Sequence, residues 1–231
     1  MIPLLVLRPQ PGASATAQRA VALGLTTLMH PLFAVEPVEW DAPDPALFDA
    51  ILLTSANAIR HGGSGVAVYR DLPAFAVGAA TAKAARDAGF NKIAEGSGDA
   101  ADALHNLADA GYSCPLHLAG EDRTPYPHLS FTVTTRTVYA ARPLNVTLPP
   151  RRAVALLHSA RAAARLAELC PSPGLIDIVS ISASVADAAG HGWRSIATAP
   201  EPTDNAMLAL AAMLCDGQPT MTGRDDGQPI S

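Results

Sequence analysis

Residues 50–58 read Ala50-Ile51-Leu52-Leu53-Thr54-Ser55-Ala56-Asn57-Ala58: an apolar run that stops at two hydroxyls and restarts in small residues. A short apolar run bounded in this way is a buried strand, and serine at its exit is a helix N-cap. The pattern returns 104 residues later as Leu157-His158-Ser159-Ala160-Arg161-Ala162. At the same offset Val77-Gly78-Ala79-Ala80-Thr81-Ala82 matches Ile181-Ser182-Ala183-Ser184-Val185-Ala186, and Asp102-Ala103-Leu104 matches Ala206-Met207-Leu208. Any one match could be chance in an alanine-rich chain. Three in one register, each after a predicted strand, indicate a duplicated α/β unit.

Outward from these motifs the chain alternates strand and helix. Strands are predicted at residues 2–7, 33–38, 49–53, 74–77, 91–94, 115–119, 153–157, 176–181 and 195–197. Helices are predicted at 12–25, 79–88, 99–110 (capped by Asp99), 160–169, 183–189 and from Thr203 to Leu214. Residues 131–139 alternate Val and Thr and read as an exposed strand. Gly62-Gly63-Ser64-Gly65 reads as a flexible loop, and residues 121–130, with Pro125 and Pro127, as another. Strands alternating with helices give an α/β fold with parallel sheets.

Composition narrows the function. The 231 residues carry a net charge of −5, are 49% hydrophobic and 16% charged, and contain no apolar run near the ~20 residues of a membrane span. The first residues lack the basic flank and cleavage site of a signal peptide, and three scattered cysteines fit neither a disulfide framework nor a CxxC metal site. The expected location is the cytoplasm. From Arg123 to Ala167 there are seven arginines (123, 136, 142, 151, 152, 161, 165) and no acid, which suggests an anionic ligand. Aromatics are only 5% and do not interleave with these arginines, which argues against a nucleic-acid surface.

The chemistry should sit where strands open onto helices, because free backbone N–H groups and the helix dipole favour anions there. Ser55 and Ser159 hold such places, where capping alone is the simpler role for each. The chain has no GxxxxGK[ST], GxGxxG or GxSxG sequence, and its seven histidines never take HxH or HExxH spacing. His158, next to Ser159, is the one histidine to watch, and a satisfied buried histidine is the simpler account even of that one.

In order along the chain, Leu7-Arg8-Pro9, His30-Pro31-Leu32, residues 53–58, residues 76–82, Val138-Tyr139-Ala140-Ala141, Leu157-His158-Ser159-Ala160-Arg161 and Pro202-Thr203-Asp204-Asn205-Ala206-Met207-Leu208 resemble the uroporphyrinogen-III synthase family across residues 2–214. The resemblance implies two flavodoxin-like parallel α/β domains joined by a two-stranded β-ladder. Residues 1–35 with 146–215 would form the first and 40–138 the second, with linkers at 36–39 and 139–145 and a disordered tail at 216–231. It implies cyclisation of the linear tetrapyrrole hydroxymethylbilane to uroporphyrinogen III, with loss of water and inversion of ring D through a spiro intermediate. No metal or organic cofactor is implied.

The implied partner is that polycarboxylate substrate alone, with no nucleic acid and no membrane. The protein would be a monomer, in passing contact with the enzyme that supplies its substrate. By motif, the implied substrate contacts are Arg8, Ser55, Asn57, Gly78, Thr81, Gly120, Ser159, Ser182 and Thr203, with Thr81 the one weak catalytic candidate. Two departures stand out. Val185 replaces a threonine of some family members, and the tyrosine some members carry after the second linker is absent from Leu144-Asn145-Val146-Thr147-Leu148. Tyr139 is a packing residue on this reading, and the general acid is unassigned. Two alternatives stay open: a synthase-like protein that has lost its chemistry, and a two-domain binder of anions.

Overall fold

The structure is a computed structural model that describes residues 2–96, 100–123, 126 and 131–216. The chain divides into two compact units, Met1–Ala34 with Pro143–Ser231, and Val35–Arg142.

The first unit contains β1 (Leu4–Val6), α1 (Gly12–Ala22), β2 (Thr27–Met29), β9 (Ala153–Leu157), α5 (Ala160–Leu169), β10 (Ile176–Ser180), α6 (Ala183–Ala189), β11 (Ser195–Thr198) and α7 (Asp204–Cys215). Its five-stranded parallel sheet has the order β11-β10-β9-β1-β2. The inner strands are apolar, Asp177 and Ser180 of β10 excepted, because helices cover both faces, and every residue of β1, β9 and β10 is buried. One core cluster joins Leu4, Val154, Leu156 and Val179 to Met207, Leu208, Ala211 and Leu214 of α7.

The second unit contains β4 (Ala50–Leu53), α2 (Ala56–His61), β5 (Ala74–Val77), α3 (Ala79–Asp87), β6 (Ile93–Gly96), α4 (Ala100–Asp109), β7 (Pro115–Gly120) and β8 (Thr134–Pro143). Together with β3 (Phe33–Pro37) these strands make a six-stranded sheet of order β3-β8-β7-β4-β5-β6. Core clusters lie on both of its faces, around Tyr69, Phe90 and Val138 and around Phe75, Leu104 and Leu107.

The 104-residue repeat is the plan of both sheets: β4-β5-β6 and β9-β10-β11 are consecutive neighbours in matching order. The remaining neighbour of the leading strand is β7 in one unit and β1 in the other.

Several sequence expectations change. The exposed strand expected at 131–139 is instead β8, which begins at Thr134 and pairs with β7 on one side and β3 on the other, with Val138 and Ala140 buried. The Val/Thr alternation records one well-packed face rather than a position outside the sheet. Residues 63–69 form a 3-10 helix instead of a flexible loop, because Val66 and Tyr69 drop into the core and Tyr69 Oη donates to the Pro43 carbonyl at 2.7 Å. Strand β2 has no counterpart in the sequence reading: three residues of mixed polarity carry no periodic signal. The segments expected to form a two-stranded ladder lie in β3 as far as Pro37 and in β8 from Tyr139 to Pro143, and Val38 N donates to Val138 O at 3.1 Å. Asp99, most of the 121–130 loop and the tail beyond Asp216 lie outside the described residues.

Candidate functional site at the carboxyl edges of the two sheets

In the second unit Leu53 pairs with Ala76 on one side and Leu118 on the other. Two residues further on, each strand reaches a residue singled out from sequence, so Ser55, Gly78 and Gly120 stand at one level of the carboxyl edge. Ser55 is extended (φ −151°) and its hydroxyl accepts from Asn57 N at 3.2 Å, the ordinary geometry of an N-cap. Asn57 turns outward, its Oδ1 accepting from Arg60 at 3.3 Å. Gly78 takes φ +77°, which side-chain-bearing residues rarely adopt, and donates its N–H to Gly96 O at 2.8 Å. No atom lies within 4 Å of where its Cβ would stand, so space is open above the first turn of α3.

Thr81 is not an open ligand group. Its side chain is only 5% exposed, and Val185, its counterpart in the repeat, is also 5% exposed. Both positions pack beneath the first turn of their helix, which is why a methyl can replace the hydroxyl there.

Beneath this edge lies a hydrogen-bonded chain that sequence reasoning did not find. Thr54 Oγ1 and His117 Nε2 are 3.0 Å apart, His117 Nδ1 bonds the Tyr126 hydroxyl, and that hydroxyl is 3.0 Å from Thr135 Oγ1. His117 is 2% exposed on β7, and its pKa is lowered to about 4, first by burial and then by the positive charge of Arg123. The ring is therefore neutral at physiological pH, so that one nitrogen donates and the other accepts. A lone histidine in an apolar strand carried no signal of this.

In the first unit Val6 pairs with Leu156, so Arg8 and His158 leave the sheet at one level; Leu157 pairs with Ser180, which does the same for Ser159 and Ser182. Ser159 caps α5, accepting from Ala162 N at 3.2 Å, and Thr203 caps α7, accepting from Ala206 N at 3.2 Å. Ser182 makes no cap bond; its hydroxyl is 3.1 Å from that of Ser184.

Arg8 is held by Asp204, in the first turn of α7. The Asp204 carboxylate accepts from His158 Nε2 at 2.7 Å, Arg19 Nη2 at 2.5 Å and Nε at 2.9 Å, and Thr16 Oγ1 at 3.0 Å, with Arg8 Nη1 at 3.5 Å. Burial pushes the Asp204 pKa up, but the hydrogen bonds from His158, Arg19 and Thr16 outweigh it and hold the carboxyl far below its ordinary value. The segments that leave β1 and β9 thus meet α1 and α7 at one carboxylate. Sequence reading named Arg8 and Thr203 and watched His158, but missed Asp204, Arg19 and Thr16. Asp204 follows the cap and reads as an ordinary dipole-favouring acid.

The acid-free arginine window does not act as a block. Arg142 pairs with Glu121 at 2.7 Å, Arg152 with Asp177 at 3.3 Å, Arg165 with Glu168 at 2.8 Å, and Arg161 stacks 4.5 Å above the Phe33 ring. The absence of acids within the window is offset by acids just outside it. Among the described residues no group of three or more His, Cys, Asp or Glu could hold a metal ion, and no helix is long and apolar enough to cross a membrane.

A family model described as uroporphyrinogen-III synthase HemD matches residues 14–209. The chain belongs to the uroporphyrinogen-III synthase family. It is a cyclising lyase of tetrapyrrole biosynthesis, acting on hydroxymethylbilane. In fold it is similar to the uroporphyrinogen-III synthetase of Helicobacter pylori 26695, with a TM-score of 0.66 at 18% identity over 93% of this chain and 100% of that one. It is also similar to a mutant uroporphyrinogen III synthase of the extremely thermophilic bacterium Thermus thermophilus, with a TM-score of 0.50 at 16% identity over 93% and 99% of the two chains. These two likenesses concern the fold alone. A comparison with curated protein sequences gives no match.

Proposed function

We propose that this synthase holds hydroxymethylbilane at the carboxyl edges of its sheets, through backbone amides and capping hydroxyls more than through free arginines. The observation that carries this is the register: Ser55, Gly78 and Gly120 share one level, and so do Ser159 and Ser182. The substrate bears acetate and propionate groups on every ring. The first turns of α3, α5 and α7 expose N–H donors, with the positive end of each helix dipole, to such carboxylates. Arg8, locked to Asp204 but still 34% exposed, adds a fixed positive charge to the first unit's edge.

Chemically, loss of the ring A hydroxyl gives an azafulvene. The substituted carbon of ring D attacks it, and the spiro intermediate fragments and recloses with ring D inverted. Water is the only other product. Each step is intramolecular, so holding the chain of rings in the reactive geometry supplies most of the selectivity. The same reading places the protein in the cytoplasm as a monomer.

Site variants test this placement. Ser55→Ala and Ser159→Ala each remove a cap worth about 1 kcal/mol and a ligand-facing hydroxyl. The expected result is a fall of about tenfold in kcat/KM for isomer III formation, with the melting temperature lowered by only a few degrees. Ser182→Ala, which breaks no cap bond, should leave the melting temperature within about 1 °C. Activity that falls only in proportion to lost folded protein would reduce both serines to caps.

A further inference from the structure

Gly12, the first residue of α1, is the seat of the Arg8 side chain. A Cβ on Gly12 would lie 2.6 Å from Arg8 Nε, 2.9 Å from Cζ and 3.1 Å from Nη2, so the guanidinium rests where any other residue would put its side chain. The φ of Gly12 is not in the left-handed region, so the backbone does not call for glycine there; the guanidinium does.

That seat contributes little to the fold. The first turn of α1 has no acid and no side-chain cap, and a cation laid on it faces the positive end of the helix dipole. Asp204 is already bonded by Arg19, His158 and Thr16 at 3.1 Å or less. Arg8 reaches Asp204 only at 3.5 Å and Thr16 Oγ1 at 3.4 Å, both through Nη1. Among the described residues nothing accepts from its Nε or Nη2, the edge with which an arginine grips a carboxylate side-on. Arg19 uses that same edge on Asp204. Arg8 is thus anchored at one end and unused along the other edge, with its side chain 34% exposed.

We propose that Gly12 is a positioning residue: by carrying no side chain it keeps the Nε–Nη2 edge of Arg8 clear, so that one substrate carboxylate is gripped side-on while Nη1 stays on Asp204 and Thr16. This rests on the carboxyl-edge reading above. Losing such a charged, two-bonded contact corresponds to roughly 10- to 100-fold in binding.

The test is isomer-resolved kinetics on the full chain, with a melting curve for each variant. Gly12→Ala adds one methyl at a helical position where alanine is otherwise the better residue. KM should rise about tenfold or more with kcat within about threefold, the mark of lost binding, and the melting temperature should fall by no more than about 2 °C. Arg8→Lys keeps the charge but has no side-on edge, and it tests the grip without touching the helix; KM should rise by a similar factor. In the double variant KM should rise no further, because both changes remove the same contact. If the parent chain makes isomer III and either single variant leaves KM within twofold, the proposal is overturned while the carboxyl-edge reading stands. Fully multiplicative losses would also overturn it. A parent chain that yields only isomer I would defeat the functional reading itself.

Discussion

Asp204→Ala is expected to lower the stability of the first unit by about 3 kcal/mol and to abolish most activity. Removing the carboxylate leaves Arg8, Arg19 and His158 facing one another with only the Thr16 hydroxyl, 3.4 Å from Arg8 Nη1, to accept from them. Three of these donors are cationic or become so on protonation, and the site is 15% exposed at Asp204, so repulsion and lost hydrogen bonds add. In a chain of this length the change should lower the melting temperature by roughly 6–12 °C. Thr203→Ala, which removes only the neighbouring cap, should cost about 1 kcal/mol and separates capping from the ion cluster. A loss at Asp204 no larger than that at Thr203 would contradict the reading of Asp204 as the tie between α1, α7 and the segments that leave β1 and β9. Because its pKa is depressed, Asp204 stabilises the fold above its ordinary pKa near 3.8, and that contribution is lost only as pH falls below it.

His117 governs a different window. Its pKa is about 4 in the folded chain against about 6.5 when unfolded. Between those values the unfolded state takes up a proton that the folded state refuses, so stability falls with pH at up to about 1.4 kcal/mol per unit. The total, on the order of 3 kcal/mol, is lost as pH drops from about 6.5 to 4, and nothing further is lost through this group below 4. Urea unfolding across this range should show the slope, and His117→Asn should flatten it while costing stability at pH 7 by breaking the Thr54 and Tyr126 bonds. An unchanged slope in the variant would show that His117 is not the titrating group.

Much of this architecture was legible because duplication writes the same physics twice. An apolar run ending at Ser55 and again at Ser159 specifies a buried strand, a cap and a helix, and the structure shows both caps bonded as expected. The positive φ at Gly78 follows from glycine at a strand-to-helix turn. What was not legible depends on tertiary packing. The hub at Asp204 gathers side chains up to 196 residues apart, and no local pattern links Arg8 or Thr16 to it. The His117 chain needs β4, β7 and β8 to be neighbours before Thr54, Tyr126 and Thr135 can converge. Thr81 was legible as a position but not as a buried one, since helix periodicity does not show which face the first turn presents. The seven-arginine window did not show which arginines are paired, since a linear charge count ignores the acids that stand beside Arg142, Arg152 and Arg165.

The most direct test supplies hydroxymethylbilane to the purified chain and separates the isomers of the cyclised product after oxidation. Hydroxymethylbilane closes spontaneously to isomer I without inverting ring D. Catalytic amounts of this chain should turn the product to isomer III in proportion to enzyme concentration, with no metal or cofactor added and with chelator present. Product that stays isomer I at every enzyme concentration would contradict the account.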